Sequence, residues 1–307
     1  MSEYGIVTRN DGPRFWVDVA GEEFPCVLRG RLKKEQLRES SFLAVGDRVE
    51  VERLPEGGGG AGSDRAAGAI TARAPRRTEL SRPTSFRGQV HVMAANVDQM
   101  VHVQAAAQPA FQLRLAYRFL ATARRGGMEG LVVVNKCDLQ PEAVIQSWID
   151  PLVAGGVPVV LTSAVDGRGL DELRRLLTGR ISVLAGKSGV GKSSLVNALY
   201  PEWQARTTGV SLWNNKGRHT TTSSRLYPLP GGGYLADTPG IRELALFDDD
   251  QEAVSGVFNE IEEAAASCRF RDCTHSHEPG CAVKAAVARG DISQDRYDSF
   301  LLLTKTT

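Results

Sequence analysis

The chain has 307 residues, of which 42% are hydrophobic and 24% are charged, a composition that excludes disordered and fibrous proteins. Its 37 basic and 36 acidic side chains give a net charge of +1, so overall charge does not indicate a nucleic-acid binder, although a local basic patch is compatible with one. No run approaches about 18 apolar residues and the first residues lack the features of a secretory signal, so we expect no membrane association. Five cysteines are too few for a disulfide scaffold of this length, which favours a soluble protein of the reducing cytoplasm.

The N-terminal residues predict a small β-barrel. Short strand-like runs are separated by turn residues, and five such strands in about 75 residues are typical of an OB-fold. A Gly-rich stretch at residues 55–68 is predicted to form a flexible hairpin tip before the last strand. We assign residues 1–75 to this OB-fold barrel, with strands at residues 5–8, 15–19, 24–28, 48–53 and 69–73.

The stretch at residues 75–88 contains arginines and prolines and is interpreted as a linker. Beyond it, strands and helices alternate, and the wholly apolar run at residues 131–134 is expected of a strand buried on both faces of a parallel sheet. This alternation predicts a doubly wound α/β domain at residues 76–245. Apolar runs and strands are predicted at residues 90–94, 100–103, 131–134, 157–162 and 181–185, helices at 111–125, 143–152, 169–177 and 193–200, and an antiparallel hairpin at the sheet edge at 225–229 and 234–236.

Residues 186–193 read GKSGVGKS, which matches the P-loop pattern GxxxxGK(S/T) between an apolar strand and a helix. The glycines let main-chain N–H groups approach phosphate oxygens, and the following helix presents its positive N-terminus to the same anion. Lys192 is predicted to contact the β- and γ-phosphates and Ser193 to bind Mg²⁺; the alternative is a Gly-rich turn without a ligand. The predicted nucleotide contacts are Gly186, Lys187, Ser188, Gly189, Val190, Gly191, Lys192, Ser193 and Ser194.

A second motif predicts that the nucleotide base is guanine. The sequence NKCD at residues 135–138 directly follows a predicted strand, and ligand sites in α/β sheets lie at the carboxyl ends of strands. Asp138 can accept hydrogen bonds from both N1–H and the exocyclic amine of guanine, a pairing that adenine does not offer. The predicted contacts are Asn135, Lys136 and Asp138, together with Ser163 and Ala164 after the next strand.

The sequence DTPG at residues 237–240, taken alone, is typical of a plain turn. In the same domain as a P-loop, it instead indicates a nucleotide-binding motif. It predicts that Asp237 serves the Mg²⁺ site and that the N–H of Gly240 contacts the γ-phosphate. The hydroxyl-rich loop before it offers Thr221, or as a close alternative Thr222, as a magnesium ligand. It also offers His219 as the group that orients the attacking water, although a solvated loop histidine is an equal alternative. The predicted catalytic residues are therefore His219, Thr221 and Lys192.

The motifs occur in an unusual order, because the base-recognition segments precede the P-loop and DTPG. A standard GTPase has the opposite order, and a circular permutation preserves the pocket because strand ends in space build it. Ile241 directly follows DTPG, and a branched alkane cannot orient water, so slow intrinsic hydrolysis is expected unless another group positions the nucleophile. The same segment continues into a C-terminal region.

That region, residues 246–307, is predicted to form helices at 251–267 and 282–307 around a C-x4-C-x-H-x5-C cluster. Three thiolates and one imidazole fit a closed tetrahedral zinc site. The compartment disfavours a disulfide, and the lack of an open coordination position disfavours a catalytic zinc. The predicted ligands of one structural Zn²⁺ are Cys268, Cys273, His275 and Cys281, with His277 as the fallback imidazole.

Two basic runs are candidates for RNA binding, since OB-folds often bind RNA through such surfaces. For the barrel run taken alone, a solvated charged face is the slightly favoured alternative. The runs comprise Arg29, Arg31, Lys33, Lys34 and Arg38 in the barrel and Arg73, Arg76, Arg77, Arg82 and Arg87 after it.

The combination of barrel, motif order and cysteine cluster resembles the circularly permuted ribosome small-subunit-dependent GTPase A family over nearly the whole chain. The matching stretches include LRG at 28–30, VGDRV at 45–49, ANVDQ at 95–99 and GRHTTT at 217–222. The resemblance implies a late-acting maturation factor of the bacterial small ribosomal subunit that hydrolyses GTP with Mg²⁺ on that subunit and binds its rRNA. We expect a monomer.

Two other functions stay open on the sequence. One is a non-ribosomal GTP-binding signalling switch, in which the barrel and the zinc region bind proteins. The other is a nucleic-acid-binding module with a degenerate GTPase, against which the intact Lys192, Ser193, Asp138 and Asp237 argue. Stimulation of GTP turnover by small ribosomal subunits separates the ribosomal factor from the signalling switch.

Overall fold

The computed structural model describes residues 2–12, 14–30, 32, 42–54, 66–83, 90–206, 224–237 and 257–304. Its first five strands are β1 (Ser2–Asp11), β2 (Arg14–Val19), β3 (Glu22–Leu28), β4 (Arg48–Arg53) and β5 (Gly68–Arg73). They pair in the order β1-β2-β3-β5-β4, and β4 pairs back with β1, which closes a barrel. Apolar side chains such as Val7, Phe15 and Ile70 fill its interior. This barrel confirms the predicted OB-fold.

Part of the stretch predicted to be a linker is a strand. Here β6 (Glu79–Pro83) pairs antiparallel with β7 (Val90–Ala95), because Leu80 is apolar and packs into a buried cluster. The linker prediction for residues 75–88 is therefore wrong over β6. Arg76 is also not an exposed basic residue, since its guanidinium forms a bidentate ion pair with buried Asp47 at N···O distances of 2.7 and 2.8 Å.

The central residues form the predicted α/β domain. Its elements are β8 (Gln99–Ala105), α1 (Leu113–Arg125), β9 (Glu129–Asn135), α2 (Glu142–Ala154), β10 (Val159–Leu161), α3 (Leu170–Leu177), β11 (Ile181–Ala185), α4 (Lys192–Leu199), α5 (Pro201–Arg206), β12 (Arg225–Pro228) and β13 (Tyr234–Asp237). Strands β10, β9, β8, β11 and β13 are parallel neighbours in that order. Every residue of β8 and β11 is buried, because apolar clusters cover both faces of the sheet.

The hairpin of β12 and β13 is not at the edge of the sheet, contrary to the sequence prediction. Strand β12 also pairs antiparallel with the barrel strand β1, with Arg225 opposite Arg9, so the barrel and the α/β domain share one 11-stranded sheet. At the same boundary, Tyr234 Oη donates a hydrogen bond to Asp18 Oδ2 over 2.9 Å. Because these two residues are 216 positions apart, no local pattern predicts their contact.

The C-terminal region contains α6 (Asn259–Ala265), α7 (Ala282–Arg289) and α8 (Gln294–Thr304). The single helix predicted at residues 282–307 is wrong, because Gly290 ends α7 with a left-handed φ of 83°. Within the described residues, no helix combines the length and the apolar character needed to cross a membrane. The domain limits 1–75, 76–245 and 246–307 stay predictions.

Arg296 of α8 joins the C-terminal region to the α/β domain. Its guanidinium is almost fully buried and donates to Tyr117 Oη of α1 at 3.1 Å and to the carbonyl oxygen of Val257 at 2.9 Å. It also pairs with Glu260 and lies 4.8 Å from the ring centroid of Phe258. One buried cation therefore holds α8, α1 and the start of α6 together.

Candidate functional site

Four strand ends that are distant in sequence meet at one edge of the parallel sheet. NKCD follows β9, residues 162–164 follow β10, the P-loop follows β11, and Asp237 is the last residue of β13. These strands run parallel, so their carboxyl ends lie at the same edge, where α/β sheets bind ligands. The topology thus brings the predicted nucleotide motifs to one place.

The P-loop backbone runs close to its neighbours at two glycines. A Cβ atom at Gly186 would collide with the carbonyl oxygen of Val103, and one at Gly191 would collide with the side-chain amide of Asn135. Both glycines also have a positive φ, 145° and 92°, which disfavours any side chain. The second collision shows that the loop is built against the NKCD motif itself.

Lys192 is the first residue of α4 and is buried. Its Nζ donates hydrogen bonds to the carbonyl oxygens of Gly186 and Lys187 at 2.6 and 2.8 Å, so the ammonium group lies across the loop. Ser193 follows it, partly buried, at the N-terminus of the helix, where the helix dipole favours an anion. Lys187, Ser188, Gly189 and Ser194 are exposed around this group.

Side chains of the NKCD motif hold the P-loop directly. Buried Asn135 donates from Nδ2 to the carbonyl oxygen of Val190 at 3.0 Å. Lys136 donates from Nζ to the carbonyl oxygen of Gly189 at 2.7 Å. Asp138 is exposed, so its carboxylate is available to a ligand. The motif predicted to select the base and the motif predicted to bind phosphate therefore form one unit.

The segment after β10 is fixed to the NKCD loop. The N–H of Cys137 donates to the carbonyl oxygen of Thr162 at 3.1 Å. Ser163 is buried, and its Oγ accepts from the N–H groups of Val165 and Asp166 at 3.2 and 3.3 Å. Ala164 lies in this turn between Ser163 and Val165 and is partly exposed.

The connection between β8 and α1, residues 106–112, was not among the predicted site residues. Its Gln108 carbonyl oxygen accepts from Lys136 Nζ at 2.7 Å, and its Gln112 Oε1 accepts from Lys187 Nζ at 3.0 Å. Buried Gln104 holds the end of this connection through two hydrogen bonds to the main chain of Gln112. The available signal was topological: β8 is a parallel strand, so the loop after it must reach the same edge.

His102 lies directly behind the P-loop. It is 1% exposed, pairs in register with Ala185 of β11 and stacks on Phe119 at a centroid distance of 3.9 Å. Burial, assisted by the positive charge of Lys192, lowers the pKa of His102 to about 3. The imidazole is therefore neutral at pH 7 and acts as a packed side chain beneath the site.

Asp237 ends β13, where it lies opposite Arg225 of β12 in the strand register. The predicted residues His219, Thr221 and Gly240 lie outside the described residues, as does Ile241. Their roles stay predictions.

The four predicted zinc ligands form a separate cluster whose ligand atoms all lie within 4.8 Å of one another. His275 Nδ1 is 3.6 Å from the Sγ atom of Cys268 and 3.5 Å from that of Cys281, and these two sulfurs are 3.9 Å apart. Zinc bond lengths of about 2.3 Å to sulfur and 2.0 Å to nitrogen give tetrahedron edges of about 3.5–3.8 Å, so the donors, Cys273 included, fit zinc. The fallback His277 is not part of this cluster.

The family model described as RsgA GTPase matches residues 73–247. The small ribosomal subunit biogenesis GTPase RsgA of Gemmatimonas aurantiaca is 42% identical over 305 residues, which cover 98% of this chain and 96% of that protein. The protein of the same name from Chlorobaculum tepidum is 40% identical, with 97% and 96% covered. The chain belongs to the RsgA GTPase family. As an RsgA-family protein it is a GTPase, and its family uses a guanine nucleotide with Mg²⁺.

Two solved structures resemble this RsgA-family chain over its length. YjeQ from Thermotoga maritima has a TM-score of 0.76 and 32% identity, and the match covers 99% of this chain and 98% of that one. YloQ, described as a circularly permuted GTPase, has a TM-score of 0.74 and 29% identity, with 99% and 94% covered. The predicted circular permutation is confirmed.

Proposed function

We propose that the chain is a GTP-hydrolysing factor in late maturation of the small ribosomal subunit, which binds the subunit's rRNA and leaves after hydrolysis. The observation that carries this proposal is similarity across 98% of the chain to a small ribosomal subunit biogenesis GTPase. The hydrogen bonds from Asn135 and Lys136 to the P-loop main chain support the nucleotide part, because base and phosphate motifs are assembled together.

In this proposal each motif contacts one part of a guanine nucleotide. Asp138 accepts hydrogen bonds from the base, and the turn at Ser163 and Ala164 supplies a main-chain N–H to the guanine oxygen. Lys192 and the N–H groups of residues 186–194 hold the phosphates. Bound Mg²⁺ would neutralise phosphate charge; its proposed protein ligands are Ser193 and Thr221, and Asp237 binds its coordination shell directly or through water.

Hydrolysis requires a group that positions water. Ile241 has no polar side-chain atom, so we assign this task to His219, six residues before β12 begins at Arg225. Docking on the subunit places His219 against the attacking water and thereby accelerates a slow intrinsic reaction. Lys192 stabilises the charge that develops on the phosphates.

We assign one structural Zn²⁺ to Cys268, Cys273, His275 and Cys281. Zinc bound there supplies folding free energy to a region whose helices are only seven to 11 residues long. The factor acts as a monomer in the cytoplasm, where small subunits mature.

GTP turnover with and without purified small ribosomal subunits tests this function. We expect the small subunit to raise turnover at least tenfold and the large subunit to have no effect, while Lys192→Ala abolishes the stimulated reaction. Equal turnover with and without small subunits would instead support the signalling switch.

A further inference from the structure

An exposed aromatic side chain lies between two arginines in the loop that joins the first two proposed zinc ligands. Between Cys268 and Cys273 the chain reads Arg269-Phe270-Arg271-Asp272, and all four residues are exposed. Phe270 is 40% exposed, more than any other phenylalanine among the described residues. It lies outside the apolar cluster that α6, α7 and α8 share with α1. Packing of the core therefore does not explain this phenylalanine.

The two arginines, together with the single carboxylate of Asp272, give the same loop a net charge of +1. The guanidinium carbon of Arg269 lies 5.5 Å from the ring centroid of Phe270, within the cation–π range of about 6 Å. Neither Arg269 nor Arg271 forms an ion pair with any residue in the described part of the chain. A partly exposed aromatic ring and two cations therefore occupy three consecutive residues.

The loop is held at both ends. Cys268 and Cys273 belong to the proposed zinc site, and the N–H of Ala282 donates to Cys268 Sγ at 3.3 Å. Tyr297 of α8 donates from Oη to the carbonyl oxygen of His275 at 2.5 Å, which ties the cluster to the helices. Because the ends are fixed, the loop loses little conformational entropy when it binds a partner.

We propose that this Arg-Phe-Arg loop is an RNA-binding surface, on which Phe270 stacks on an unpaired base while Arg269 and Arg271 contact the flanking phosphates. Unpaired RNA offers π surfaces and phosphates in alternation, and proteins recognise it with aromatic rings and guanidinium groups. An acidic peptide would satisfy the two charges but leave the ring without a stacking partner. This inference rests on the proposed function, because the small subunit supplies the RNA.

Affinity for purified small subunits, measured with the zinc-loaded full chain and a non-hydrolysable GTP analogue, tests the proposal. Loss of one stacking contact in Phe270→Ala should weaken binding about tenfold at every salt concentration, whereas Phe270→Trp should bind like the unaltered chain. Removal of two phosphate contacts in Arg269→Gln/Arg271→Gln should weaken binding and reduce the slope of log affinity against log salt by about 1.4. Zinc content and GTP affinity should not change in any of these variants.

Matched controls remove comparable exposed groups elsewhere. Val153→Ala on α2 removes an exposed apolar side chain, and Arg175→Gln on α3 removes an exposed charge. Both should bind the subunit like the unaltered chain. If the loop variants also do so, the loop proposal is wrong and the proposed function stands. If the unaltered chain does not bind the subunit, the proposed function fails and the loop proposal fails with it.

Photocrosslinking identifies the class of partner. A photoreactive p-benzoylphenylalanine placed at position 270 should crosslink to an rRNA nucleotide of the small subunit. A crosslink to a ribosomal protein alone would overturn the proposal in favour of a protein-docking loop.

Discussion

At the scale of one residue, Asp138 is predicted to select the guanine base, because its exposed carboxylate follows β9 beside the P-loop. Asp138→Asn should weaken GDP and GTP binding by about 1–3 kcal/mol and shift the preference toward xanthine nucleotides, whose 2-oxo group suits an amide donor. Competition among GTP, ATP and XTP measures this, with Asp150→Asn on α2 as a control. Equal affinity of the unaltered chain for ATP and GTP would contradict the assigned role.

His102 makes a prediction about acid stability. Its pKa of about 3 in the folded chain lies below the ordinary 6.5, so below pH 6.5 the unfolded chain binds a proton that the folded chain does not. Acidification from pH 6.5 to 5 should therefore lower the free energy of unfolding, by up to about 1.4 kcal/mol per pH unit from this group. Denaturant unfolding over this pH range measures the slope.

His102→Leu removes the titrating imidazole, so its free energy of unfolding should change less steeply with pH than that of the unaltered chain, by up to about 1.4 kcal/mol per pH unit. Met100→Leu, at a buried position without a titrating group on the same strand β8, should retain the slope of the unaltered chain. The same slope in His102→Leu would mean that the buried imidazole does not control this range.

The sequence predicted the roles of side chains that belong to local motifs. It did not predict the roles of side chains whose contacts are distant in sequence. Lys192 and Asn135 belong to motifs whose spacing is local, so their meeting at the sheet edge could be expected. Arg76 looked like one of several surface arginines, and only the barrel fold reveals its buried partner Asp47. His102 looked like part of an apolar strand, and its burial behind the P-loop depends on the pairing of β8 with β11.

At the scale of elements, periodicity and apolar runs predicted most strands and helices. A parallel strand that is buried on both faces is an unbroken run of apolar residues, which the sequence shows directly. Strands β4 and β11 begin and end at the predicted residues. The errors arise where pairing with a distant strand determines the structure. Strand β6 forms because β7 pairs with it, and the β12–β13 hairpin is internal to the sheet because β1 pairs with β12. Neither pairing leaves a local pattern.

We predict that loss of the proposed zinc destabilises the C-terminal helices. They contain seven, eight and 11 residues, lengths at which isolated helices are marginal, so they depend on tertiary contacts. These contacts are the apolar cluster shared with α1, the buried Arg296 and the proposed zinc. Cys273→Ala should lose the zinc and increase hydrogen exchange in α6 and α7, while GTP affinity changes little. Elemental analysis and exchange measurements check this, with Cys26→Ala in the barrel as the control. Absence of zinc in the unaltered protein, or a disulfide among the four ligands, would refute the site.

At the scale of the whole molecule, the GTPase core is joined to both flanking regions by contacts close to the nucleotide motifs. Strand β12 lies between Asp237 and the barrel, with Arg225 opposite both Asp237 and Arg9. On the other side, Gln112 contacts Lys187 of the P-loop just before α1, and α1 contacts Arg296 of α8 through Tyr117. A change at the γ-phosphate can therefore reach the barrel and the C-terminal region through packed elements.

This arrangement predicts that affinity for the small subunit depends on the nucleotide. In the proposed function the barrel and the C-terminal region bind one rRNA surface together, so a change in their relative position on loss of the γ-phosphate should weaken binding. We expect at least tenfold higher affinity with a non-hydrolysable GTP analogue than with GDP, a coupling free energy of about 1.4 kcal/mol, and by linkage the subunit must tighten the analogue relative to GDP by the same factor. Subunit binding at fixed salt and nucleotide titrations with saturating subunit measure both sides of this cycle.

His219→Ala separates hydrolysis from this coupling. If His219 positions water, the variant should lose most of the stimulated turnover, by the hundredfold or more that general base catalysis typically provides, yet keep its nucleotide affinity and its preference for the subunit in the analogue-bound state. It should therefore stay on the subunit longer than the unaltered chain when GTP is supplied. Normal turnover on the subunit would show that His219 is only a loop residue, and equal subunit affinity with GDP and the analogue would show that hydrolysis does not drive release.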